Sequence, residues 1–205
     1  MKLSDVCLEA MGTYLLSLSR LAIINNSVGF TDVGLIKIAK SCVHLKIICI
    51  HPLNNSVTNA SYLQFALHCK ELCELVLCLQ TINDECLCAV ARNCSHMVRI
   101  HVAHSPFVTD IGVCALVKNC KELEKLCLGA GITDQSLKAI AECGVSLRFL
   151  SLEKCTQISE EGVSTVVQRC GQKLRYVSTP KGLLTVECKD MLQREYPLLH
   201  INVVE

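Results

Sequence analysis

The chain of 205 residues has no tryptophan, four prolines and only four phenylalanines and four tyrosines. With so few rings, the position of each one carries information. No stretch rich in proline, glycine and serine interrupts the sequence, which argues against a linker between independent domains. Lysine and arginine almost balance aspartate and glutamate, leaving a net charge of +1. The whole chain therefore lacks the basic excess that draws proteins to nucleic acid or acidic membranes. No apolar run reaches the ~20 residues needed to span a bilayer. The opening residues Met1-Lys2-Leu3-Ser4-Asp5 do not read as a secretory signal, because Asp5 and Glu9 break any apolar segment.

Against these absences stand 16 cysteines and a hydrophobic content of 51%. A disulfide framework is one reading of so many cysteines. Two features oppose it: the missing signal, and the recurrence of the cysteines in phase with apolar positions, where a thiol behaves as a small core residue. The expectation is a reducing compartment, cytosol and/or nucleus, with the thiols reduced. Triplets of the glycosylation type, such as Asn54-Asn55-Ser56, then carry no weight.

The cysteines belong to a longer pattern that repeats through the chain. Units open on Leu3, Phe30, Val57, Ile82, Val108, Ile132, Ile158 and Leu184, at spacings of 27, 27, 25, 26, 24, 26 and 26. Such periods signify a stacked array in which each unit touches only its neighbours. The opening residue is followed by Ser, Thr or Asn and then usually by an acid, as in Phe30-Thr31-Asp32 and Val108-Thr109-Asp110. That is helix N-cap chemistry, with the acid suited to the helix dipole. Two residues on, only Gly, Ser or Cys occurs (Gly34, Ser61, Cys86, Gly112, Ser136, Gly162), which implies close approach to the neighbouring unit. Apolar residues at i, i+3 and i+4 mark one buried helix stripe, for example Leu35, Ile38 and Ala39. A cysteine follows six of the eight helices, Cys42, Cys69, Cys94, Cys120, Cys143 and Cys170, with Leu15 and Tyr196 at the same phase in the end units. Next comes apolar-x-x-apolar-x-apolar, as in Leu72-Leu75-Leu77, Leu123-Leu126-Leu128 and, at the end, Leu198-Ile201-Val203. Its last three positions alternate with the period of a half-buried strand.

Each unit is thus a helix followed by a strand. The fold class expected is α/β: one array over residues 1–205 of about eight repeats, with a parallel sheet on the concave side and helices on the convex side. The last repeat has Val186 in place of the acid and Tyr196-Pro197 in place of the cysteine, departures that suit a C-terminal cap. The first helix would present an uncovered side, as expected if upstream sequence exists in a longer form.

The order Cys-x-x-Leu-x-x-Leu-x-Leu, a loop, and then Ile-Thr-Asp resembles the cysteine-containing class of leucine-rich repeats. Cys69 to Leu77 with Ile82-Asn83-Asp84, and Cys120 to Leu128 with Ile132-Thr133-Asp134, are good instances. Members often carry a second cysteine after the strand, and here Cys155 fits clearly. The resemblance implies a right-handed leucine-rich-repeat solenoid. It also implies the substrate-recognition half of F-box/LRR-repeat proteins, which dock on cullin–RING (SCF) ubiquitin ligases through an F-box. No F-box signature is visible, so a ligase adaptor is an expected partner only if an F-box lies upstream. Stand-alone arrays of this class act as scaffolds or competitive regulators.

Chemistry other than binding finds little support. Cys49 and Cys127 fall on outward strand positions, and His101 lies one repeat before Cys127, so a Cys–His pair is conceivable; yet no orienting group or oxyanion site accompanies it. Cys86-x-Cys88 points its thiols to different helix sides and makes a poor metal chelate. Arg99, His101, His104, Lys125, Arg148 and Lys154 supply modest basicity, but Glu74, Glu124 and Glu153 dilute it. No enzyme activity, cofactor, metal, nucleic acid or membrane partner is expected. A substrate or regulatory protein on the concave face is expected instead. The third strand positions (Arg20, Ile47, Glu74, Arg99, Lys125, Phe149, Tyr176, His200) and the fifth (Ala22, Cys49, Val76, His101, Cys127, Ser151, Ser178, Asn202) should form outward columns. The candidate contact residues are Arg99, His101, Lys125, Phe149, Ser151, Tyr176 and His200. Two of the rare rings are neighbours there, beside cations, which is common hot-spot chemistry.

Overall fold

The structure is a computed structural model that describes residues 3–26, 29–52, 56–77, 82–143 and 146–204. Asn54 and Asn55 of the glycosylation-type triplet lie outside them. The described residues form helices α1 (Asp5–Tyr14), α2 (Asp32–Ser41), α3 (Asn59–His68), α4 (Asp84–Asn93), α5 (Asp110–Asn119), α6 (Asp134–Cys143), α7 (Glu160–Cys170) and α8 (Val186–Glu195). They alternate with strands β1 (Arg20–Asn26), β2 (Ile47–Pro52), β3 (Glu74–Leu77), β4 (Arg99–His101), β5 (Lys125–Cys127), β6 (Phe149–Ser151), β7 (Tyr176–Pro180) and β8 (His200–Val204). The strands make one all-parallel sheet in chain order. Neighbouring strands sit about 4.8 Å apart and packed helices about 8–10 Å apart. A stack of such units therefore curves with its sheet inside, as a leucine-rich-repeat solenoid.

Each helix starts where the sequence places a hydroxyl or amide cap. Thr31 Oγ1 accepts from the Val33 amide at 3.1 Å, Thr58 Oγ1 from Ala60 at 3.2 Å, and Thr109 Oγ1 from Ile111 at 3.3 Å. The acid that follows does more than complement its own helix dipole: its carboxylate caps the next helix. Asp5 accepts from the Thr31 amide and hydroxyl, both at 2.8 Å, and from the Gly34 amide at 3.0 Å. Asp32 holds the Thr58 amide and hydroxyl, Asp84 holds Thr109 and Gly112, and Asp110 holds Thr133 and Ser136. Asp134 and Glu160 do the same for Ser159 and Thr185. This ladder explains the small residue four positions past each unit opening. A Cβ on Gly34 would stand 2.7 Å from Asp5 Oδ1, and one on Gly112 would stand 2.6 Å from Asp84 Oδ1.

The helix C-termini are joined by a second ladder. The Cys69 thiol donates to the Cys42 carbonyl at 3.6 Å, Cys94 to Cys69 at 3.5 Å and Cys120 to Cys94 at 3.6 Å. Those carbonyls are among the C-terminal acceptors that a helix leaves without an internal partner. Each of these carbonyls also accepts a backbone amide, from Leu45, Leu72 and Met97 in turn, and the thiol of the next repeat supplies a second donor.

Between the two ladders lies one continuous core. Leu45, Ile48, Ile50, Leu72, Leu77, Ile100, Val102, Leu126, Leu128, Leu150 and Leu152 are all fully buried. Thr179, the polar departure in the strand pattern, is fully buried as well. The last unit breaks phase. Leu198 is 66% exposed and Leu199, at 3%, takes the core place; Val203, in the last described strand, is also left exposed.

Two outcomes are expected. Leu126→Ala should cost about 2–5 kcal/mol in urea melts, the usual range for a fully buried leucine. The second concerns the carboxylate ladder. Burial pushes the Asp110 carboxyl up, but hydrogen bonds from Ser136 and Thr133 outweigh it and hold the group below the ordinary aspartate range. A lowered native pKa adds stability that is complete above the unfolded value of about 3.9 and disappears as pH falls through the native one. Stability should thus drop on acidification below about pH 4, and Asp110→Asn should flatten that drop. Identical pH slopes for the two proteins would contradict the role given to Asp110.

Candidate functional site

Strand pairing aligns the outward residues into columns without a slip from β2 to β8. Ile47, Glu74, Arg99, Lys125, Phe149, Tyr176 and His200 are successive register partners, as are Cys49, Val76, His101, Cys127, Ser151, Ser178 and Asn202. A residue two along a strand returns to the same face, so both columns share the concave side.

The first column divides into three parts. Arg99 Nη1 meets Glu74 Oε1 at 2.6 Å, so its charge is already compensated. Lys125, in the next strand, is half-buried and joins no ion pair among the described residues. Then come the two rings. Phe149 and Tyr176 stack face to face, with centroids 4.7 Å apart and planes within 4°. Parallel strand spacing sets that distance, because equivalent side chains on adjacent strands stand one strand apart. Both rings remain half-buried, neither sealed in the core nor free in solvent. His200, in the last strand, is exposed.

The second column is less available than its sequence position implies. Ser151 is 7% exposed and Ser178 is fully buried. Ser151 therefore offers a partner almost no surface. His101 is half-buried, and its Nε2 is buried without a hydrogen-bond partner among the described residues. Its ring stacks on His104 with centroids 6.1 Å apart. Burial first, and then the His104 and His51 imidazoles, push its pKa down, which favours the neutral imidazole. Cys127 is the register partner of His101 on β5, as the periodicity predicts.

The remaining chemistry is structural. Burial pushes the Cys69 thiol to about 12, Cys94 to about 11, Cys120 to about 11 and Cys155 to about 12, far from the thiolate a nucleophile or metal ligand needs. Among the described residues no group of three or more His, Cys, Asp and Glu is placed to hold a metal ion. No described helix is long and apolar enough to cross a membrane. Outside the columns, sequence reasoning missed a concentration of charge at the strand entrances. Arg148 and Arg175 occupy equivalent positions on successive strands, just before Phe149 and Tyr176. The signal was present as two arginines one repeat apart.

Cys7 is the thiol that differs. Hydrogen bonding to Ser4, whose Oγ lies 3.4 Å from the sulfur, pulls its pKa below the ordinary value. In native protein at neutral pH, iodoacetamide should label Cys7 first, and Cys69, Cys94, Cys120 and Cys155 only after unfolding. Peptide mass spectrometry checks this, and early labelling of the buried set would contradict the thiol ladder.

No protein-family model matches the chain. It is 26% identical over 167 residues to a Transport inhibitor response 1-like protein of Oryza sativa subsp. japonica, an alignment covering 74% of this chain and 29% of that protein. It is likewise 26% identical over 170 residues to F-box protein FBX14 of Arabidopsis thaliana, covering 74% of this chain and 27% of the relative. The chain thus spans less than a third of the length of these curated relatives. A chain of the crystal structure of the yeast Rad7 and Elc1 complex aligns with a TM-score of 0.44 at 14% identity, covering 98% of this chain and 75% of that one.

Proposed function

We propose that this leucine-rich-repeat array, similar over most of its length to F-box/leucine-rich-repeat proteins, is a protein-interaction module of the substrate-recognition kind. In that role it presents a partner protein to an SCF-type, cullin–RING ubiquitin ligase, or serves in a short form of such a receptor, and performs no reaction itself. A ligase adaptor is a partner only of a form that carries an F-box. The cytosol or nucleus is the setting in which its many thiols stay reduced.

The observation that carries this reading is the stacked Phe149–Tyr176 pair, half-exposed and next to the uncompensated Lys125. Rigid aromatic surface presented with little conformational entropy left to lose, and a cation close by, is how interfaces concentrate binding energy. Arg99, His101 and His200 extend the same face, whereas the buried Ser151 drops out of it.

Affinity capture on the immobilised chain, quantified by mass spectrometry, tests the reading. The double variant Phe149→Ala, Tyr176→Ala should lose the captured proteins, while Lys138→Ala on the convex side should keep them. Equal capture by all three would overturn the concave assignment. Losing the stack should cost the fold about 0.5–1.5 kcal/mol beyond the loss of the rings' half-buried area. Co-precipitation of an F-box-containing form with cullin and its adaptor separates ligase receptor from free-standing scaffold.

A further inference from the structure

The first helix exposes the face by which later helices pack on their predecessors. On α2 that face carries Gly34, where a Cβ would stand 2.8 Å from Leu8 Cβ, and Lys37, whose Cγ would lie 3.1 Å from a Cβ on Gly12. On α7 it carries Glu161, Gly162, Thr165 and Arg169, which line the groove shared with α6. The repeat places Val6, Cys7, Ala10 and Tyr14 at the same positions of α1. None of these four is charged. Tyr14 at 81% and Val6 at 74% are the two most exposed large apolar side chains among the described residues, and Leu15, next in the chain, is 45% exposed. Contiguous apolar surface of this kind marks an interaction site.

The sheet is open at the same end. Strand β1 lies at its edge and pairs only with β2 among the described strands. Edge strands are commonly blunted by lysine or proline. β1 has neither, and Ile24 within it is 57% exposed. The far end of the array is built differently. Helix α6 meets α7 through Asp134, Lys138, Ala141 and Glu142, and the equivalent residues of α8 are Val186, Asp190, Gln193 and Arg194. Asp190 and Arg194 are exposed charges. Val186 stands where α6 carries the capping Asp134, so this end cannot extend the carboxylate ladder into a following helix. The last repeat of another copy is therefore a poor match for the apolar first face.

We infer that the outer face of the first repeat is a two-fold interface with a second copy of this chain. Val6, Ala10 and Tyr14 recur every four residues and form one stripe along α1. Two such stripes packed antiparallel about a two-fold axis set Ala10 against its own counterpart, and Val6 against the counterpart of Tyr14 on either side. The small residue at the crossing lets the helices approach, and the ring fills the space where their axes diverge. The same axis lays β1 antiparallel to its counterpart, which pairs the free edge groups of both strands and joins two eight-stranded sheets into one. The contact is isologous, so it closes at two chains. It uses neither Phe149 nor Tyr176.

Sedimentation velocity and light scattering on the 205-residue chain, over about 1 µM to about 100 µM, test this. A reducing agent is present throughout, so that no disulfide between chains contributes. The expected result is a monomer–dimer equilibrium that stops at twice the chain mass. Ala10→Glu and Tyr14→Glu, both at exposed positions, should each leave only monomer while the melting temperature of the dilute protein stays unchanged. Val186→Glu at the opposite end should keep the dimer, and so should the double variant Phe149→Ala, Tyr176→Ala. A monomer at every concentration would overturn the inference and leave the face to a chain of another kind. Species that grow past the dimer, the mark of head-to-tail stacking, would overturn it too, as would a dimer that survives both α1 variants. Loss of the dimer in the ring variant would move the contact to the concave columns and refute the two-fold face.

Discussion

The structure depends on one recurring contact: in most repeats the carboxylate at the start of a helix caps the helix of the next repeat. Asp5, Asp32, Asp84, Asp110 and Asp134 each reach across to an amide at the following cap. The contact is directional, since the acid belongs to one unit and the donors to its successor. It converts a row of short helices, each only ten or eleven residues long, into a chain of linked neighbours. Helices of that length are marginal alone in water, so their persistence comes from packing and from these links. The thiol ladder at the opposite helix ends repeats the logic with weaker donors.

Carboxylate links at most helix starts and thiol links at several helix ends leave the strands little freedom of register. That is why the outward columns run without a slip from Ile47 to His200. Register then acts on the surface chemistry. Equivalent positions on adjacent strands become neighbours, so two rings one repeat apart stack, two arginines one repeat apart crowd, and Glu74 neutralises Arg99. The same rule stabilises the core and composes the face. The concave side is therefore not a neutral scaffold: Glu74 and Arg99 offset each other, while Lys125 joins no ion pair among the described residues and lies in the strand next to the aromatic pair.

Much of this was legible in the periodicity. The eight openings, the cap residues, the buried stripe, the cysteine phase and the strand alternation all correspond to helices and strands in the structure. So did the column membership, because a strand period of two and a repeat of near-constant length suffice to work it out. Other features were not legible. The acids looked like dipole partners of their own helices, because sequence shows neighbours along the chain and the capping contact spans about one repeat. Ser151 looked available, yet it is almost fully buried, and burial is set by how the repeats pack. Leu198 held the expected phase, but the terminal turn gives its core place to Leu199.

By itself, the sequence determined the architecture, the core phase of the cysteines, and which residues share a face. Those follow from periodicity, and periodicity is a one-dimensional property. Only the tertiary structure decided what those residues are to one another: which charges are already spent, which hydroxyls are sealed, and that Phe149 and Tyr176 lie face to face. The physical reason is that stacking brings side chains about 25 residues apart to within a strand spacing of about 5 Å, and the strength and sign of each interaction are set at that distance.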